Sequence, residues 1–267
     1  MKQYLNLLED ILANGAVRKD RTGTGTISVF GRQLRVDMQK EGFPLLTTKF
    51  VYFKAVAYEL LWFLSGETNI KLLKDNNIHI WDGWADENGE LGRIYGVQWR
   101  RWKTPNGTAV DQLKQAMEQI KNNPYSRRIV VSAWNAGELD QMSLPPCHAL
   151  YQFYVNPEAK TLSCHFYMRS VDVFLGMPFD IASYALLTHI IAHLTGLTPK
   201  ELIVSTGDTH IYLNHTEQVY KQLKNKPLQL PTLEISPNVH DIDNIKYEDI
   251  KLINYTNYGP IKAPISI

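Results

Sequence analysis

Cys147 has the widest chemical reach of any residue in this chain. It sits in SLPPCHALYQF, where Pro145 and Pro146 fix the backbone before it and a strand-like run follows. Two readings stand side by side: a thiolate nucleophile, or the small buried hydrophobe that a free Cys usually is. A Cys–His hydrolase pairing with adjacent His148 fails on geometry, because successive strand side chains point to opposite faces. Cys164, inside LSCHFY, reads as structural. Glu59 is a lone carboxylate in an apolar helix, so it is either bonded to a partner or kept for proton handling. Arg127, Arg128 and Arg169 carry the guanidinium fork that grips phosphate, and each also reads as a surface charge. The RTGTGT segment opens onto a strand, so it is not a dinucleotide or Walker fingerprint; an anion site and a tight turn both fit it. His189 and His193 lie four apart on one helix face with no third ligand near, so no metal is expected.

These residues need a scaffold, and the composition supports one. The chain has 267 residues, of which 44% are hydrophobic and 11% aromatic, enough to fill a core. With 28 Lys+Arg against 27 Asp+Glu the net charge is +1, which argues against a nucleic-acid grip. Two cysteines are too few for a disulfide framework and point to a reducing, cytoplasmic setting. The N-terminus has no signal-peptide core, and the most apolar stretch, 181–197, is interrupted by His189 and His193, so no membrane partner is expected.

The pattern predicts a first helix with Leu5, Leu8 and Leu12 inward, closed by Gly15. Ile27–Phe30 and Leu34–Asp37 read as a hairpin joined through Gly31 and Arg32. Residues 55–64 read as a buried helix, 79–107 as a loop-rich region, and Thr108 as the cap of a helix burying Val110, Leu113, Met117 and Ile120. Ile129–Trp134, His148–Val155 and Thr161–Arg169 read as strands, Gly176–Gly196 as a long helix, and Ile203–Ser205 and the region around Ile211 as shorter strands. No repeat or linker interrupts residues 1–267, so one continuous domain is expected. Irregular alternation of strands and helices points to an α+β fold with a mixed sheet.

Several stretches together resemble the thymidylate synthase family. They are DRTGTGT (20–26), FPLLTTK (43–49), ELLWFLSGETNI (59–70), IWDGWADENGELGRIYG (80–96), SRRIVVSAWN (126–135), PPCHALYQFYV (145–155), RSVDVFLGMPFDIASYALL (169–187), GDTHIYLNH (207–215) and IKAPISI (261–267). They run end to end in the family's order. The resemblance implies a homodimer through the sheet, moving a one-carbon unit from 5,10-methylenetetrahydrofolate to C5 of a pyrimidine nucleoside monophosphate. It implies Cys147 as the nucleophile that adds to C6, with Arg169 beside the sulfur and on the phosphate. Arg21 and Ser170 match phosphate contacts, and Arg127 and Arg128 match the pair that reaches the phosphate from the second subunit. His210 and Tyr212 match contacts to the ribose 3′-hydroxyl. Glu59, His148 and Tyr95 match a proton-handling network. Asp172 matches the pterin contact, Ile80, Trp81, Trp84 and Leu144 the folate wall, and Lys49 the folate tail. Ile267 resembles a terminus that closes over the site and excludes water.

Two positions depart from the usual family pattern. Met168 replaces Gln before Arg169-Ser170, and Asp180 replaces Asn after Pro178-Phe179. The family Asn reads uracil; a carboxylate can accept from the cytosine amino group and share a proton with N3. Both departures resemble the deoxycytidylate hydroxymethylase branch. The expected reaction is therefore on dCMP, ending in hydroxymethyl or methyl. An ordinary thymidylate synthase acting on dUMP is the alternative, followed by a CMP enzyme or a non-catalytic nucleotide-binding paralogue.

Overall fold

Residues Phe53–Ser65 and Met177–Thr195 are apolar almost all the way round, and helices of that kind are stable only when surrounded. The fold surrounds them. The computed structural model describes residues 1–266. Its helices are α1 (Lys2–Asn14), α2 (Met38–Glu41), α3 (Phe53–Ser65), α4 (Lys71–Asp75), α5 (Gly96–Arg100), α6 (Gln112–Asn122), α7 (Met177–Thr195) and α8 (Thr216–Leu223). Its strands are β1 (Ala16–Arg18), β2 (Thr26–Asp37), β3 (Trp102–Lys103), β4 (Ala109–Val110), β5 (Val130–Ser132), β6 (His148–Asn156), β7 (Thr161–Asp172), β8 (Thr198–Tyr212), β9 (Thr232–Ile235) and β10 (Ile250–Ile253). The main sheet runs β1-β2-β8-β7-β6-β5 and is antiparallel except for β7 and β8. A parallel neighbour needs a crossover, and α7 supplies it, packing on α3 and on both parallel strands. This is one α+β domain with a mixed sheet flanked by helices.

One sheet face meets the helices and the other is uncovered in the single chain. Burial alternates along β6 and β7 with the period of two that strands impose, leaving Leu150, Tyr154 and Tyr167 outward. Phe30 on β2 is exposed as well.

Three expectations change. Residues 26–37 form one strand, not a hairpin: Gly31 adopts the positive φ of +71° that suggested a turn, yet the ladder to β8 stays in register from Thr26–Tyr212 to Asp37–Glu201. A partner distant in sequence offers more backbone bonds than a tight reversal would. The two short strands expected near 203 and 211 are for the same reason the single β8. The helix expected from Thr108 begins at Gln112, because Asp111 is the cap whose carboxylate accepts from the Lys114 N–H at 2.9 Å. Thr108 instead closes the β3–β4 hairpin, and Leu113, Ala116 and Ile120 are the buried positions of α6.

The sheet topology also gathers the candidate residues. Parallel pairing sets Ser170 beside Asp208 and Asp172 beside His210 at the carboxyl ends of β7 and β8. The first turn of α7 begins at this end, and Cys147 precedes β6 where the register shifts between His148 and Leu150. Crevices outside the carboxyl ends of parallel strands are common ligand sites.

Candidate active site

The thiol of Cys147 is held by its backbone. Its N–H donates to the Tyr95 hydroxyl at 2.9 Å, and its carbonyl accepts from the Arg169 N–H at 2.8 Å. Arg169 is fixed by the prolines before the cysteine: Nε donates to the Pro146 carbonyl at 2.8 Å and Nη2 to the Pro145 carbonyl at 2.7 Å. Nη2 then lies 3.8 Å from Cys147 Sγ, and the guanidinium sits over the Trp134 ring at 5.5 Å. The two prolines thus do more than stiffen the chain, because their carbonyls aim the arginine at the sulfur.

Burial pushes the Cys147 thiol above its ordinary range, Arg169 pulls it back down, and Asp180 adds to the rise. Asp180 contributes only while ionised, and its own carboxyl is pushed well above the carboxylate range by burial, then by the charges of Glu59 and Asp172. The same burial that raises Asp180 therefore weakens its opposition to the thiolate, since a protonated carboxyl carries no charge. Asp180 lies in the first turn of α7 with its side chain 19% exposed.

Glu59 on α3 is half-buried, and its Oε1 accepts from Trp81 Nε1 at 2.8 Å. Burial raises its pKa to about 7, with the Trp81 bond opposing. A carboxyl poised there both gives and takes protons near neutral pH. His148 is stacked on Tyr95 with centroids 4.0 Å apart, and its Nδ1 is 2.8 Å from the Tyr184 hydroxyl. Burial drops its pKa to about 3, so the ring is neutral at working pH. Its Nε2 lies 3.8 Å from Asp180 Oδ1. Tyr95 takes a φ of +35°, a conformation that costs a non-glycine residue roughly 1–3 kcal/mol and is typical of functional sites. The next residue, Gly96, allows no side chain, since a Cβ would stand 2.2 Å from the Phe63 carbonyl.

At the strand ends, His210 Nδ1 is 2.9 Å from Asp208 Oδ1, which also accepts from Ser28 Oγ at 2.9 Å. His210 packs edge-on to Tyr212 at 5.1 Å. Asp172 Oδ1 accepts from the N–H groups of Phe174 and Leu175 at 2.9 and 3.1 Å. The RTGTGT loop is organised by Asp20, whose carboxylate takes the Thr22 and Gly25 N–H groups and the Thr22 hydroxyl. Arg21 is exposed on that loop, close enough for its charge to act on Tyr212. Trp81 and Trp84 meet edge-on at 5.7 Å, and Ile80, Trp84 and Leu144 are partly buried against the core.

Not every expected residue lies open in the cleft. Lys49 is 4% exposed; its ammonium donates to the Phe174 carbonyl and sits 3.9 Å over the Phe174 ring. Burial brings its pKa down to about 8, with Asp172 partly offsetting. Arg127 and Arg128 are exposed before β5, whose register with β6 places them at the strand end opposite Cys147. That separation is roughly 25 Å at about 3.3 Å per residue. Ile267 lies outside the described residues. Among the described residues no cluster of three metal-ligating side chains occurs, and no helix is long and apolar enough to cross a membrane.

The structure adds residues that the sequence reading passed over. Tyr184, four positions after Asp180 on the same face of α7, holds His148, and helical spacing could have found it. Trp134 and Asp208 had no local signal, since Arg169, Ser28 and Arg18 come from distant elements, whereas Asp20 caps its own loop through Thr22 and Gly25.

Fold and cleft together define a class. This is an α+β protein with a cysteine, an arginine and two raised carboxyls gathered at the carboxyl ends of its parallel strands. A family model described as thymidylate synthase matches residues 2–267. The chain belongs to the thymidylate synthase family. The family implies C5 methyl or hydroxymethyl transfer to a pyrimidine nucleotide with methylenetetrahydrofolate as co-substrate, and its members bind nucleotide and folate and act as dimers.

Proposed function

We propose that this chain transfers a one-carbon unit to C5 of dCMP and leaves it as a hydroxymethyl group. Asp180 carries the reading: a carboxyl close enough to act on the Cys147 thiol, raised by burial, at the position where the usual family residue is Asn. Protonated Asp180 donates O–H to cytosine N3 and accepts from the N4 amino group. If the proton passes to N3, the carboxylate still accepts from both N–H groups, so dCMP fits either protonation state. Uracil already carries a hydrogen on N3 and fits only the neutral acid; an ionised Asp180 opposes O4.

The same contact assists the chemistry. As Cys147 Sγ bonds to C6, the C5–C6 electron pair shifts toward N3, and the Asp180 proton neutralises it there. C5 becomes nucleophilic, which a free pyrimidine is not. Arg169 stabilises the thiolate that attacks, and Glu59 exchanges protons with the reacting base. The donor set fits a folate: the Trp81–Trp84 corner with Ile80 and Leu144 suits a flat ring, and Asp172 suits ring N–H donors. Methylenetetrahydrofolate, when bound, supplies the one-carbon unit. The paired departures Met168 and Asp180 support the hydroxymethyl outcome.

The decisive assay offers dCMP and dUMP separately with methylenetetrahydrofolate and weighs the product. Wild type should turn over dCMP in preference and yield the hydroxymethyl mass. Asp180→Asn should move the dUMP/dCMP ratio of kcat/KM by about 10- to 100-fold toward dUMP, the effect of one mismatched buried polar group. Turnover of dUMP alone, or a ratio that Asp180→Asn leaves in place, would refute the cytosine reading.

The reading includes a homodimer through the uncovered sheet face. It accounts for the apolar Phe30, Leu150, Tyr154 and Tyr167 on that face and for arginines stranded far from their own cleft. Arg127 then serves the other subunit's phosphate. Mixing Arg127→Ala with Cys147→Ala, each weak alone, should restore activity by forming one intact site per mixed dimer. No recovery on subunit exchange speaks against a shared site.

A further inference from the structure

We infer that Asp208 is a positioning residue that sets the tautomer of His210, leaving the Nε2 lone pair to accept a hydrogen from the nucleotide's sugar hydroxyl. The inference rests on the reading above that a pyrimidine nucleotide binds at this end of the sheet. Three neighbouring strands build the arrangement: β1 ends at Arg18, and the ladder of β2 with β8 sets Ser28 opposite His210. Asp208 and His210 stand two residues apart on β8, so their side chains share one face. Asp208 Oδ1 lies 2.9 Å from Ser28 Oγ and 2.9 Å from His210 Nδ1, and Oδ2 lies 2.6 Å from Arg18 Nη1. A carboxylate only accepts, so the serine, the imidazole and the guanidinium all donate to it. Nδ1 therefore carries the hydrogen, and the neutral ring has its lone pair at Nε2. The His210 side chain is 10% exposed, and Nε2 has no hydrogen-bond partner among the described residues.

An acceptor held in this way selects for a donor. Of the three parts of a pyrimidine deoxynucleotide, the phosphate offers only acceptors, and Asp180 reads the base in the proposal above. The one sugar hydroxyl is left as an uncharged donor, and Nε2 takes its hydrogen. The same contacts dictate what Asp208→Asn must do. Arg18 only donates, so the amide oxygen takes the place of Oδ2. The amide nitrogen then faces Nδ1 and Ser28 Oγ, and it only donates. Ser28 Oγ can accept, but Nδ1 can do so only by giving up its hydrogen, which moves to Nε2. Exchanging one oxygen on β8 thereby turns His210 from an acceptor into a donor.

Nitrogen NMR of the full chain, isotopically labelled at histidine, reads the tautomer without turnover, and the His210 signals are those lost in His210→Gln. At a pH where the ring is neutral, wild type should show the hydrogen on Nδ1 and Asp208→Asn should show it on Nε2. Hydrogen on Nε2 in wild type, or an unchanged tautomer in Asp208→Asn, overturns the inference; a merely structural Asp208 would not exchange the two nitrogens. Binding of dCMP is then compared with that of its 3′-fluoro-2′,3′-dideoxy analogue, which keeps an electronegative atom but cannot donate. Wild type should bind dCMP about 10- to 100-fold tighter, the cost of an unmet buried polar group. Asp208→Asn should narrow that ratio about tenfold, because a hydrogen on Nε2 attracts either substituent. Equal wild-type affinities, with the tautomer as expected, overturn the assignment of the sugar hydroxyl. The comparison is repeated with dUMP and its fluoro analogue. A ratio that holds there while dCMP fails to bind refutes the cytosine reading and supports the role of Asp208. Binding of neither nucleotide removes the site reading, and the inference falls with it. Should Asp208→Asn not fold, the wild-type spectrum and affinity ratio decide by the same outcomes.

Discussion

Cys147→Ala is expected to lose at least about 10⁴-fold in turnover while still folding and binding dCMP. The magnitude follows from removing a covalent nucleophile, for which no neighbouring group substitutes. Binding survives because Arg169 is held by the Pro145 and Pro146 carbonyls, not by the sulfur, so the cleft keeps its shape. Cys164 is the internal control. It is fully buried on β7 and its thiol is pushed up to about 12 by burial, so it has neither access nor thiolate character. Alkylation followed by mass spectrometry should label Cys147 and spare Cys164, faster at higher pH because burial raises the Cys147 thiol. Bound dCMP should protect it. Turnover within a few-fold of wild type in Cys147→Ala would end the covalent mechanism.

Glu59→Gln should make the protein more stable and nearly inactive, and the stability gain should depend on pH. Burial holds the folded Glu59 at about 7, against an ordinary 4.5. Between those values the unfolded chain releases its proton while the folded chain keeps it. Wild-type stability therefore falls as pH rises through that window, by about 3 kcal/mol when complete. Gln does not titrate, and its Oε1 can still accept from Trp81 Nε1. Urea unfolding should show the two proteins nearly equal at pH 4.5, with Glu59→Gln more stable by up to about 3 kcal/mol at pH 8. Turnover should fall about 10²- to 10⁴-fold, the usual worth of a positioned acid–base group. Parallel stability profiles from pH 4.5 to 8 would show that Glu59 is not held protonated by burial. Both results together would mean that this site keeps a destabilising acid for its chemistry.

Much of the site was legible in the sequence because its chemistry is carried by residue type. Cys147 after two prolines, the lone Glu59 in an apolar helix and Arg169 stand out by residue type, and the acid at 180 by its departure from the family pattern. The failures share a physical cause. Gly31 has a turn glycine's dihedral but a strand's partner, and β8 lies too far along the chain for a local pattern to report it. Thr108 and Asp111 both look like caps, and only the finished β3–β4 hairpin decides which one the helix uses.

The sequence by itself determined the two buried helices, the mixed α+β pattern, the candidate nucleophile and the family's ordered segments. Those features depend on hydrophobic periodicity and on side-chain chemistry, which are local. Only the tertiary structure decided how the groups act on one another. It buried Glu59 to about 7 and His148 to about 3, and turned Lys49 inward onto a carbonyl. It aimed Arg169 at the sulfur through the proline carbonyls and left Arg127 and Arg128 at the far end of their strands. Burial, distance and field arise from elements that meet only when the sheet closes over α3 and α7, so no reading along one chain could supply them.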